Sequence, residues 1–145
     1  MAIFNKQHAF HCIALVVLLF SHSLFAEVLV VTGAGSPSIS MNKNQVCDVF
    51  LGKVKSLPNG INATPVDQPE FNSLREEFYF KVANKSVAQV KVNWAKLYFT
   101  GRGTPPREGA DSDDIKKIVN STPGAIGYID RSSLDSSVKV VFVAQ

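Results

Sequence analysis

The spacing of apolar positions changes in a regular order along this chain. Glu27 to Thr32 reads EVLVVT, a β-branched run of strand length closed by Gly33-Ala34-Gly35-Ser36-Pro37, and it predicts a buried first strand with a loop behind it. From Val46 the spacing lengthens to three and four. Val46, Val49 and Phe50 predict a short helix that Ser40 or Asn42 caps and Gly52 stops. Polar residues from Ser56 to Asn62, with Pro58 and Asn59-Gly60, predict a surface turn before a short strand around Ala63 to Val66. Leu74 to Val82, capped by Asn72 or Ser73, and Ser86 to Phe99, with Val87, Val90, Trp94, Leu97 and Tyr98 on one stripe, predict two more helices. The run from Gly101 to Arg107 breaks that period and predicts a stiff loop. Asp111 to Asp114 then place acids at the start of a helix over Ile115 to Asn120, where they complement its dipole.

The next ten residues, Ser121 to Asp130, read STPGAIGYID. Pro123 and Gly124 end the helical pattern, and Ala125 to Ile129 predicts a buried central strand. Gly127 inside that strand implies the close approach of another group. A polar stretch to Ser137 precedes a last strand over Val138 to Val143. The alternation predicts an α/β fold, a three-layer sandwich with a small mixed sheet.

Composition changes the picture at the amino terminus. Lys6, an apolar run from Ile13 to Phe20 and small or polar residues up to Ala26 have the plan of a secretory signal peptide, with cleavage after Ala26. The apolar run is too short for a membrane span. An uncleaved anchor is the alternative, and Cys12, ahead of the apolar core, is badly placed for a lipoprotein site. Residues 27 to 145 are then expected to form one domain of 119 residues, with 14 basic against 12 acidic side chains. The bases are spread along the chain, which speaks against nucleic-acid binding.

All three histidines lie before Ala26. Without a histidine, a nucleophile elbow, metal-ligand spacing or a complete cofactor motif, residues 27 to 145 do not read as an enzyme, and neither a metal nor a cofactor is expected. Gly33 to Pro37 lacks the Gly-Lys-Ser/Thr of a phosphate-binding P-loop and the third glycine of a dinucleotide fingerprint. Cys47, alone once Cys12 is lost, fits a small apolar residue on its helix. In an open α/β sheet, loops at the carboxyl ends of strands line the ligand crevice, so Gly35 and Ser36 are candidate ligand residues, with an ordinary turn as the alternative. Arg102 joins them because a guanidinium suits a bidentate oxyanion contact. For Arg102 a solvated surface loop is the commoner explanation.

Pro123-Gly124-Ala125-Ile126-Gly127-Tyr128 after a helix resembles the closing motif of the phosphate-binding subunits of ABC transporters. Val46 to Lys53, reading VCDVFLGK, is similar to that family's Ile-Phe-x-Gly-Lys helix end, and Leu97 to Gly103, reading LYFTGRG, resembles a segment of its short, single-lobe members. The resemblance spans nearly all of the chain after residue 27. It implies one lobe of a type II periplasmic binding protein, located in the periplasm, that holds phosphate or a similar oxyanion and works with an ABC transporter permease. In that family a Ser-Gly-Thr sequence at a helix start holds the anion. Here the segment is Phe71-Asn72-Ser73-Leu74, with Ser73 in the serine's place and the glycine and threonine absent, so the resemblance makes Asp67, Asn72 and Ser73 candidate ligand residues, and helix capping explains Asn72 or Ser73 equally well. The alternative is a protein-docking or sensory module that kept the fold and lost the ligand, its partner another periplasmic protein.

Overall fold

A computed structural model describes residues 27 to 145. The leader read in residues 1 to 26 lies outside them. Five strands form one mixed sheet: β1 (Val28–Gly33), β2 (Thr64–Asp67), β3 (Arg107–Glu108), β4 (Ala125–Asp130) and β5 (Val138–Ala144). Their order across the sheet is β3-β2-β4-β1-β5. Four helices cover it: α1 (Lys43–Phe50), α2 (Ser73–Ala83), α3 (Val87–Phe99) and α4 (Ser112–Ser121).

The central position of β4 follows from its sequence. Ile126 and Tyr128 point to one face and Ala125 and Ile129 to the other, and all four are buried. On the first face they meet Val46, Val49 and Phe50 of α1, Phe78, Tyr79 and Val82 of α2, and Val90 and Trp94 of α3. On the second they meet Ile115, Ile118 and Val119 of α4. This is the three-layer α/β sandwich with a small mixed sheet that the alternation predicts. The chain moves outward from β2 to β3 and back inward from β3 to β4, so crossovers of one hand must place their helices on opposite faces.

The cap residues also follow from sequence. Asn42 and Gln45 form a reciprocal capping box at α1, and Ser86 and Gln89 form another at α3. Gly52, at φ 71°, follows α1, and a Cβ there would come within 2.6 Å of the Trp94 ring. Gly127 has a different reason. A Cβ on it would lie 2.5 Å from Ile115 Cγ2, so the glycine lets α4 settle onto the sheet.

Two expectations need correction. Tyr98 leaves the core stripe of α3 and is 58% exposed, since the buried residues of that helix are Val90 and Trp94 and the Tyr98 ring meets the exposed Phe99 ring edge-on. The loop from Gly101 to Arg107 ends in a strand, since Arg107 and Glu108 pair in parallel with Val66 and Asp67.

Strand direction matters most for function. β2 and β3 run parallel to β4, whereas β1 is antiparallel to it, with Val28 opposite Asp130 and Val31 opposite Gly127. The carboxyl ends of β2, β3 and β4 therefore share one edge of the sheet. The carboxyl end of β1 lies at the other edge.

Candidate functional site

At the shared carboxyl edge, β2 leads into α2 and β3 into α4, so two helix amino ends face the same rim. Asp67, the last residue of β2, is 1% exposed. Its Oδ2 accepts a hydrogen bond of 2.7 Å from the Tyr79 hydroxyl and lies 3.3 Å from the Arg75 guanidinium. Its Oδ1 accepts from the Tyr128 hydroxyl and, at 3.1 Å, from the Gln68 N–H. Arg75 also donates to Glu108 Oε1 at 2.6 Å and to the Gln68 carbonyl at 3.0 Å, while its Nε is buried without a partner. Gln68 spans the rim: its amide donates to the Tyr128 carbonyl at 3.0 Å and to Ser112 Oγ, at the start of α4, at 3.3 Å.

An aromatic stack supports this network from below. Phe78 lies flat on Tyr128 with ring centroids 3.8 Å apart, and Phe50 meets Phe78 edge-on at 4.8 Å. Packed rings fix the two phenols in place, so both hydroxyls donate to the Asp67 carboxylate, and that of Tyr128 also accepts the Gln68 N–H at 3.3 Å. Burial pushes the Asp67 carboxyl above its usual range, with Arg75 and the two phenols pulling against it. Burial, followed by the Asp67 charge, holds both Tyr79 and Tyr128 well above an ordinary phenol. Burial works against the Arg75 cation, but Asp67 and Glu108 outweigh it and raise its pKa. Burial thus works against the charge on Asp67 while Arg75 supports it, and both phenols are held in their protonated form.

Asn72 caps α2 by accepting the Leu74 N–H at 2.9 Å, and its own amide reaches Gln68 Oε1 at 3.4 Å. Ser73 opens the helix with its side chain exposed. Its N–H precedes any intrahelical acceptor and is available to a ligand. Asp67, Asn72 and Ser73 are thus neighbours at one rim. Gly35 and Ser36 are not. They line a second cavity with Val119, Asn120, Pro123 and Gly124 at the opposite edge, because β1 is antiparallel. Arg102 is also at that edge, in a third cavity beside the amino end of β2. One ion cannot touch Ser73 and either of those groups, so the shell expected from the sequence divides into three places.

Sequence reasoning missed Gln68, Arg75 and Glu108. Arg75 carried a signal: with Phe78, Tyr79 and Val82 it falls at i, i+3, i+4 and i+7, the spacing of the buried stripe. Among the described residues no group of acidic, cysteine or histidine side chains could hold a metal ion, and no helix is long and apolar enough to cross a membrane.

No protein-family description and no curated protein matches the sequence. Solved structures do match. A protein assigned as a phosphate ABC transporter substrate-binding protein from Clostridium perfringens, solved with bound phosphate, superposes with a TM-score of 0.63 at 23% identity over 80% of this chain and 44% of its own. An ABC-type phosphate transport receptor from Vibrio cholerae gives 0.63 at 16% identity, over 80% of this chain and 45% of its own. PstS from Borrelia burgdorferi gives 0.54 at 8% identity, over 80% and 46%. The fold is that of periplasmic binding proteins, and its structural neighbours are binding proteins of phosphate transport. The chain spans less than half the length of each.

Proposed function

We propose that this chain is an exported binding protein that holds phosphate or a similar small oxyanion at the amino end of α2 and serves ABC-type transport. It is not an enzyme on this reading, and it acts in the periplasm after loss of residues 1 to 26. The observation that carries it is the amino end of α2 at the carboxyl edge of three parallel strands, where Ser73, the first helical residue, is exposed on the outer face of the helix with Glu76, Glu77 and Phe80. Such an end attracts anions through its free N–H groups and its dipole. The likeness of the fold to phosphate-binding proteins supports the choice of ligand class.

The electrostatics set the strength. Arg75 is engaged by Asp67 and Glu108, and the nearby Lys91 is held by Glu70 at 2.5 Å. Glu76 lies in the first turn of α2. With its nearby cations partly neutralised, the site should bind phosphate weakly. Calorimetric titration of the purified protein with phosphate should give saturable heat at millimolar ligand. Ser73→Ala should weaken it about fivefold, the equivalent of about 1 kcal/mol. No heat and no thermal shift in the unaltered protein at that concentration would refute the reading.

A further inference from the structure

We infer a second ligand site, for a small organic anion, in the cavity between α1, α3 and the amino end of β2. Its volume is about 380 Å³, near the lower end of the range for small-molecule pockets. Val49, Ala63, Pro65 and Trp94 supply apolar wall, and Lys55 and Arg102 supply two cations. Both cations are exposed, and neither pairs with an acid among the described residues. Trp94 is 6% exposed, and its indole N–H is buried without a hydrogen-bond partner.

Two glycine turns build the cavity. The Trp94 ring sits against Gly52 after α1 and against Gly103, where a Cβ would be 3.3 Å from Cζ3. The Leu-Gly-Lys and Thr-Gly-Arg-Gly segments of the sequence thus meet at one cavity, at the sheet edge opposite Ser73. Core packing accounts for the glycines against Trp94. It does not account for two unpaired cations beside them.

The lining defines the ligand's chemistry. Arg102 and Lys55 suit a carboxylate or phosphate head, with the guanidinium able to make a bidentate contact. The indole and aliphatic wall suits a flat or short apolar body. A fully hydrated inorganic ion would lose water against that wall without recompense.

Trp94 is the sole tryptophan, so its fluorescence reports on the cavity directly. The test titrates the purified protein with benzoate and with phenyl phosphate, and with benzyl alcohol and inorganic phosphate as comparators. A saturable emission change is expected with benzoate or phenyl phosphate at concentrations at least about tenfold below either comparator, the stronger of the two identifying the head group. Arg102→Ala and Lys55→Ala should each weaken it about tenfold while leaving the melting temperature in place, since both side chains are exposed and unpaired. Inorganic phosphate or benzyl alcohol matching the organic anions would overturn the site. So would no response to either organic anion, or an undiminished response in the double variant.

Discussion

At the scale of single residues, Asp67 and Arg75 decide whether the α2 rim holds together. Each is a buried charge whose cost the other offsets, so removing one leaves the other uncompensated. Arg75→Ala should cost about 3 to 5 kcal/mol of stability, a large share of what a domain of this size has to spare. Asp67→Asn combined with Arg75→Met should cost less than the sum of the two single changes, because the double variant buries no charge there. Urea denaturation of the four proteins tests this. Simple additivity would show that the pair is not coupled. Ser73, by contrast, is exposed and bears on binding and not on folding.

At the scale of elements, β4 and α4 depend on one missing side chain. Ile115 occupies the space that a Cβ on Gly127 would need, and the glycine sits mid-strand between buried Ile126 and Tyr128. Gly127→Val should therefore destabilise by about 1 to 3 kcal/mol through overpacking, read as a lower denaturant midpoint with an unchanged slope. A midpoint equal to that of the unaltered protein would contradict the close packing. This element was legible in the sequence, as were the helices and caps, because apolar period and cap chemistry are local properties. β3 was not, since two residues carry no period. The direction of β1 was not legible either. It is set by pairing with β4, about a hundred residues away in the chain, and it is what separates Gly35 and Ser36 from Ser73. Arg75 hid within a helix whose exposed face also carries a large apolar side chain, Phe80 at 66% exposure, which blurs the contrast between faces.

At the scale of the whole molecule, the dependence of stability on pH collects these local environments. Lys116 of α4 grips Asp135, in the turn before β5, at 2.7 Å, and with the Ser137 hydroxyl and N–H it holds the Asp135 carboxyl down to about 2. A carboxyl lowered on folding stabilises the protein fully above its unfolded value, near 4, and that contribution is lost as pH falls through the folded value. Asp67 has the opposite sign. Burial raises its pKa, so protonation on acidification relieves part of the cost of its charge. The two phenols raised by burial act at the other limit: their contribution is whole below about pH 10 and declines as pH rises beyond it. Acid loss of stability between about pH 4 and pH 2 should thus come from surface clasps such as Lys116 with Asp135, and not from the buried network. Asp135→Asn should flatten the fall in melting temperature across that window and leave the alkaline limb as it is. Melting curves recorded from pH 2 to pH 7 decide it, and an acid limb as steep in the variant as in the unaltered protein would place the loss elsewhere.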